Sequence, residues 1–130
     1  MQAMPNLAPG APPLWDIFCA VVDNHGDLGV CWRLSRQLRE RGVRVRLWVD
    51  DATALAWMAP GATEGRMSGI EVRPWQQASD AATLNALPPA DVWVEAFGCE
   101  LPTAFVGHFV ARVSGGASEP PGRPPAWINL

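Results

Sequence analysis

Two aspartates stand four residues apart in the short stretch Asp23-Asn24-His25-Gly26-Asp27-Leu28-Gly29. Neighbouring carboxylates raise one another's pKa, so one of them can act as a base while its partner orients a cationic or hydroxyl nucleophile. Asp27 and Asp23 are therefore candidate catalytic residues. A structural interpretation remains open from the spacing alone, in which Asp27 caps the following helix and Asp23 forms an Asx turn.

The elements on either side of this acidic stretch are predicted to be a buried strand and an amphipathic helix. Residues 17–22 are mainly apolar with little alternation, which is typical of a parallel strand that is covered on both faces. After the stretch, Val30, Leu34 and Leu38 recur at helical spacing. The pattern therefore predicts the first strand, loop and helix of an α/β unit.

The rest of the chain continues this alternation of strands and helices. It predicts strands at 43–49, 70–73, 91–97 and 126–130, and helical segments at 54–58, 79–87 and 100–113. Such an order indicates an α/β fold with a Rossmann-like parallel sheet, in which the first strand lies between the second and the fourth. The crevice at that reversal would be lined by the acidic stretch and by a second loop that contains Glu95, Phe97 and Gly98.

Composition limits the classes of function that the chain can have. With 130 residues and 48% hydrophobic content it can form one domain, expected at 15–130 after a disordered proline-rich extension at 1–14. A net charge of −3 argues against non-specific nucleic-acid binding. Three cysteines without CxxC spacing predict neither a metal site nor a disulfide framework. The chain lacks an apolar stretch of about 20 residues and a secretory leader, which predicts a cytoplasmic protein without membrane contact.

A dinucleotide site is the obvious alternative for a glycine-bearing loop after a first strand. Gly26 and Gly29 have the spacing of the last two glycines of GxGxxG, and Asp50 follows where a ribose-binding acid is expected. However, Asn24 replaces the first glycine, and two carboxylates would stand where a pyrophosphate should rest. Like charges about 4 Å apart repel by several kcal/mol at intermediate dielectric, so an oxidoreductase fragment is the weaker interpretation.

Three blocks of the sequence carry a more specific resemblance. They are WDIFCAVVDNHGDLGVCWRLSRQL with the following VRLWVDD, then VWVEAFGCELP, and finally WINL. In this order they resemble the EarP family, the protein-arginine rhamnosyltransferases that modify bacterial translation elongation factor P. The resemblance implies the amino-terminal, acceptor-side half of a GT-B glycosyltransferase whose carboxyl-terminal donor-binding domain is absent, so that the chain alone would be inactive.

The resemblance also implies a reaction and a role for each residue of the acidic stretch. Rhamnose would pass from dTDP-β-L-rhamnose to an arginine of the elongation factor with inversion, without a metal or other cofactor. Asp27 matches the general base and Asp23 its companion acid, while Asn24, His25, Gly26 and Gly29 would contact substrate or donor. His25 departs from the aromatic residue of the family pattern. A non-catalytic module that only binds the elongation factor is a further alternative.

The basic residues between positions 33 and 46 form the main concentration of charge. They could steer an acidic partner, but a solvated surface with an Arg36–Glu40 pair is the preferred interpretation. The residues concerned are Arg33, Arg36, Arg39, Arg41, Arg44 and Arg46.

Overall fold

The computed structural model of the chain describes residues 12–21, 26–114 and 124–130. Strands and helices alternate along it, as the sequence predicts. In chain order they are β1 (Leu14–Cys19), α1 (Gly26–Glu40), β2 (Arg44–Val49), α2 (Leu55–Met58), β3 (Ile70–Pro74), a 3₁₀ segment (Trp75–Ser79), α3 (Ala81–Ala86), β4 (Val92–Glu95), α4 (Thr103–Ser114) and β5 (Ala126–Asn129).

The five strands form one parallel sheet in the order β3-β2-β1-β4-β5. Strand β1 lies between β2 and β4, with Ile17 opposite Leu47 on one side and Val94 on the other. The predicted α/β class and Rossmann-like strand order are confirmed. The order reverses between β1 and β4, so a crevice is expected at the carboxyl ends of these two strands.

The first strand starts earlier than its apolar run suggested. Leu14, assigned from the sequence to the disordered extension, is buried and is the first residue of β1. Its amide donates to the Asp91 carboxylate at 2.8 Å, which ties the start of β1 to the residue that precedes β4. Strand β1 ends at Cys19 and not at residue 22, so Ala20 and Val21 belong to the connection that follows it.

The segment after β4 is a longer loop than predicted. Strand β4 ends at Glu95 because Phe97 and Gly98 adopt positive φ angles of 55° and 78°, which an extended strand cannot contain. Helix α4 starts at Thr103 and not at residue 100. The Pro102 carbonyl accepts from the Phe105 and Val106 amides, so the proline immediately precedes the helix.

Two apolar layers cover the sheet, one on each face. Alternate residues of β1 serve both layers, because Ile17 packs with α1 and Phe18 packs with α4. Trp32 belongs to the first layer and Trp93 to the second, so both tryptophans are core residues. Complete burial of a large apolar side chain stabilises the fold by about 1.5–3 kcal/mol. The loop after β4 therefore starts from a sheet that is packed on both faces.

One of the six arginines assigned to the solvated surface is buried. Arg46 is 2% exposed and pairs with Asp16, which lies directly opposite it on the neighbouring strand β1. The other five are exposed, as expected. The prediction was wrong for Arg46 because an ion pair can hold a guanidinium inside the fold, which local charge density does not reveal.

Candidate active site

The loop after β4 is held against the carboxyl ends of the neighbouring strands. The Ala96 amide donates to the Phe18 carbonyl of β1 at 3.1 Å, and the Phe97 amide donates to the Leu130 carbonyl at 3.1 Å. In return, the Leu130 amide donates to the Glu95 carbonyl at 2.9 Å. Residues 95–98 therefore lie where the strand order reverses, as the sequence predicts for this loop.

Asp27 lies on the first turn of α1, which begins at Gly26. The carboxylate is half-buried and close to the positive end of the helix dipole, which favours negative charge there. The residues predicted to act with it, Asp23, Asn24 and His25, lie outside the described residues. Whether the two carboxylates face each other stays a prediction, while the position of Asp27 at the carboxyl edge of the sheet is a structural observation.

The three cysteines lie on β1, on α1 and in the loop after β4. A hydrogen bond with Cys19 and burial raise the pKa of the Cys31 thiol, and the nearby Cys99 and Asp27 raise it further. The Cys99 thiol in turn donates to the Phe18 carbonyl at 3.1 Å. This bond joins the loop after β4 to β1, whose carboxyl end leads to α1. The loop after β4 and the first turn of α1 therefore follow adjacent parallel strands at the same edge of the sheet.

The predicted crevice residues after β4 differ in their surroundings. The Glu95 carboxylate accepts from the Leu101 amide at 2.9 Å, so it stabilises its own loop. Phe97 and Gly98 are exposed, with 44% of Phe97 accessible to solvent. Among the described residues, Phe97 is the one non-glycine residue with a positive φ angle. An exposed aromatic ring therefore lies at the carboxyl edge of the sheet, just after β4.

The two glycines of the acidic stretch both fall within α1. Gly26 is exposed at the first position of the helix. At Gly29 an added Cβ would lie 3.9 Å from the thioether of Met58, which is an ordinary contact distance. Packing within the described chain therefore does not require glycine at position 29.

Sequence reasoning considered Asp50 as a ribose-binding acid, but the structure gives it a local partner. Its Oδ1 accepts from the Val21 amide at 2.8 Å, just before the acidic stretch begins. The pairing of β1 with β2 could have indicated this contact, because Cys19 and Val49 are register partners at the ends of the two strands. Asp50 therefore supports the chain that leads to Asp23.

The cavities differ in which edge of the sheet they occupy. A cavity of about 320 Å³ lies among the first residues of three strands, Leu14, Arg44 and Ile70. A smaller one of about 180 Å³ lies at the carboxyl ends of β2 and β3 and has Asp50 in its wall. Ligands of open parallel sheets bind at the carboxyl edge, so the larger cavity is on the wrong side for the predicted chemistry.

Within residues 12–21, 26–114 and 124–130, no group of three His, Cys, Asp or Glu side chains is placed to hold a metal ion. None of the helices in these ranges is both long enough and apolar enough to cross a bilayer.

Comparison with known proteins connects this geometry to a family. Residues 15–130 match the family model described as Elongation-Factor P (EF-P) rhamnosyltransferase EarP. A protein-arginine rhamnosyltransferase of Pseudomonas putida is 48% identical over 121 residues, which cover 89% of this chain and 28% of the relative. Proteins of the same name from Pseudomonas aeruginosa and Neisseria meningitidis serogroup B are 46% and 40% identical, over 89% and 87% of this chain. The chain spans little more than a quarter of the length of these relatives, 28% of the Pseudomonas aeruginosa protein and 27% of the Neisseria meningitidis protein.

Proposed function

Because the chain belongs to the EarP family of elongation-factor P rhamnosyltransferases, we propose that it forms the acceptor side of an enzyme that rhamnosylates an arginine of translation elongation factor P. The observation that carries the proposal is the position of Asp27, on a helix turn at the switch point of a parallel sheet. This is where such folds bind ligands. A carboxylate there suits a cationic acceptor side chain.

The donor, dTDP-β-L-rhamnose, would bind mainly to a part of the enzyme outside these 130 residues. The chain spans 28% of the Pseudomonas putida relative, and a GT-B enzyme places its active site between two Rossmann-like domains. The carboxyl edge of the present sheet would face that cleft. Gly26 and Gly29, with Asn24 and His25, would approach the sugar or its diphosphate near the start of α1, where helix amides favour anions. The acceptor is a translation factor, which puts the reaction in the cytoplasm.

The chemistry follows from the basicity of the acceptor. The guanidinium pKa lies above about 12, so a carboxylate cannot deprotonate it fully before attack. Asp27, helped by Asp23, would instead accept hydrogen bonds from the N–H groups and localise the charge. As the arginine nitrogen bonds to the anomeric carbon, the bond from that carbon to the diphosphate oxygen breaks and dTDP leaves with the electron pair. Asp27 takes the proton, and attack opposite the leaving group inverts the anomeric configuration.

The test uses a chimera in which this chain replaces the matching segment of the Pseudomonas putida relative. Elongation factor P is incubated with the chimera and dTDP-β-L-rhamnose, and its intact mass is measured. We expect a gain of one deoxyhexose with the unsubstituted chimera, and no gain with Asp27→Asn or Asp23→Asn. Glu64→Gln is the matched control, because this acid is exposed and pairs with Arg66 away from the crevice.

The other outcomes distinguish the alternatives. A folded chimera that binds the elongation factor but transfers no sugar would support the non-catalytic binding module. Full activity of Asp27→Asn would remove Asp27 as the base. If the chimera does not fold, calorimetric titration of the 130-residue chain with elongation factor P decides the acceptor-side assignment, and absence of binding overturns it.

A further inference from the structure

Phe97 has a backbone conformation that side chains with a Cβ rarely adopt. Its φ angle is 55°, and the next residue, Gly98, has a φ of 78°. The left-handed region brings Cβ close to the following carbonyl, so an aromatic residue there is strained, whereas glycine or asparagine is not. Keeping a phenyl ring at this position has a conformational cost, and that cost needs a compensating role.

The surrounding hydrogen bonds enforce this conformation. The Phe97 amide is held by Leu130 and the preceding Ala96 amide by Phe18, both at 3.1 Å. The Cys99 amide then closes a turn onto the Ala96 carbonyl at 3.2 Å. Strained residues persist where the surrounding structure determines them so completely, and they cluster at functional sites.

The ring contributes little to the core that could offset this strain. Phe97 is 44% exposed and belongs to neither apolar layer, although Trp93, Val94 and Ala96 just before it are buried. Phe97 instead lies at the carboxyl edge of the sheet. It follows β4, and Asp27 lies on the first turn of the helix after β1, the parallel strand next to β4, so both residues are at the point where the strand order reverses.

We propose that the Phe97 ring is the platform on which the side chain of the acceptor arginine packs. The guanidinium group is planar, weakly hydrated and stacks well on aromatic faces. Its N–H donors lie in the plane, so its edge stays free to bond a carboxylate while its face rests on the ring. Phe97 and Asp27 thus offer the two kinds of contact that one guanidinium can make at the same time. This inference rests on the proposed function and adds a binding contact for the acceptor.

The test compares substitutions that remove the ring with one that keeps it, in the chimera described above. Phe97→Gly and Phe97→Asn suit a left-handed backbone but lack the ring, whereas Phe97→Tyr keeps it. We expect the first two to raise KM for elongation factor P about tenfold, to leave KM for dTDP-β-L-rhamnose unchanged and to raise the unfolding midpoint. Phe97→Tyr should keep both KM values, as should Val110→Ala, which removes an exposed side chain from α4.

Several results would overturn the inference. An unchanged KM for the elongation factor with Phe97→Gly would show that the ring does not bind the acceptor. A raised KM for the sugar donor alone would assign the ring to the donor. A purely structural role would lower the unfolding midpoint of the ring-free variants instead of raising it.

The outcome also separates this inference from the proposed function. If the unsubstituted chimera is active and the Phe97 variants have the same KM for elongation factor P, only the role of the ring is contradicted. An inactive chimera contradicts the proposed function. In that case, calorimetry with the 130-residue chain still tests the ring, because Phe97→Gly should weaken binding of elongation factor P but not of a form whose target arginine is replaced by alanine.

Discussion

Asp16 and Arg46 lie directly opposite each other on β1 and β2 and form a buried, two-pronged ion pair. The Arg46 Nε donates to Oδ1 at 2.6 Å and its Nη2 donates to Oδ2 at 2.8 Å. Trp48 donates to the same carboxylate at 2.8 Å, and Arg46 also reaches the Pro88 carbonyl at 2.8 Å. If β2 slipped by one residue along β1, Arg46 and Asp16 would lie on opposite faces of the sheet and could not pair. The ion pair therefore specifies the register of the two strands.

Removal of one partner of this pair should destabilise the chain strongly. Arg46→Met or Asp16→Leu leaves a single charge buried, which costs about 3–5 kcal/mol of unfolding free energy. Urea denaturation of the 130-residue chain, followed by tryptophan fluorescence, measures this loss. The double variant Asp16→Leu with Arg46→Met should recover much of it, because no unpaired charge remains.

The exposed pair of Arg66 and Glu64 provides the control for that experiment. Its two side chains are well solvated, so Arg66→Met should cost less than about 1 kcal/mol. If the buried and the exposed substitutions lower the free energy of unfolding equally, the charge that remains after one partner of the Asp16–Arg46 pair is removed is not left uncompensated.

The strand order could be predicted from the sequence because it depends on patterns that are local. Apolar runs alternate with helical periodicity, and the handedness of parallel crossovers then restricts the topology. The burial of Arg46 could not be predicted in this way. Arg44 and Arg46 point to the same face of β2, yet Arg44 is exposed and Arg46 is buried. The difference arises because Arg46 has Asp16 opposite it, a pairing between residues 30 positions apart.

The position of the loop after β4 could be predicted from the sequence, but its backbone conformation could be predicted only in part. The position of residues 95–98 at the carboxyl edge follows from the strand order alone. The left-handed backbone was foreseeable at Gly98 but not at Phe97, because the sequence offers a glycine as the natural residue for that conformation. The end of β4 was therefore placed two residues too late.

The cysteines should show a pH dependence set by their burial. Burial raises the pKa of the Cys99 thiol, so its thiolate appears only at a higher pH than for an ordinary cysteine. Since the thiolate is the reactive form, alkylation of Cys99 by iodoacetamide should be slow at pH 7.5 and its rate curve should be shifted to higher pH. Peptide mass spectrometry of timed samples measures the rate at each cysteine.

Cys19 and Cys31 are fully buried and supply an internal comparison. They should remain unmodified in the folded chain at each pH that preserves the fold, and all three cysteines should react alike in urea. Rapid alkylation of Cys99 at pH 7.5, at the rate of a cysteine in a short peptide, would contradict the expected shift.

Substitution of Gly29 separates stability from function. Gly29→Ala fits the space beside Met58, and alanine is favoured over glycine inside a helix by about 0.5–1 kcal/mol. The variant should therefore unfold at higher urea concentration than the unsubstituted chain. If the donor approaches the backbone at Gly29, as proposed, the same methyl group should raise KM for dTDP-β-L-rhamnose several-fold in the chimera.

Gly107→Ala in α4 is the matched control for this prediction. An added Cβ at Gly107 meets nothing within 4 Å, and the residue lies in a helix that is far along the chain from the acidic stretch. It should raise stability as well, but leave the KM of the donor unchanged. Equal kinetic constants for the two glycine variants would argue against donor contact at Gly29.

Asp50 should affect the reaction through the chain that precedes Asp23. Its bond to the Val21 amide holds the connection two residues beyond the end of β1, so Asp50→Ala should loosen the chain that leads to Asp23. Because small displacements of reacting groups can cost up to about 100-fold, kcat of the chimera should fall by about ten-fold or more. Asp50→Asn retains an Oδ1 acceptor and should keep most of the activity.

Asp80→Ala is the control, since it removes a similar carboxylate bond, to the Thr83 amide at α3. Equal losses of kcat with Asp50→Ala and Asp80→Ala would indicate general destabilisation, and an inactive Asp50→Asn would show that the charge of Asp50, and not its hydrogen bond, is required.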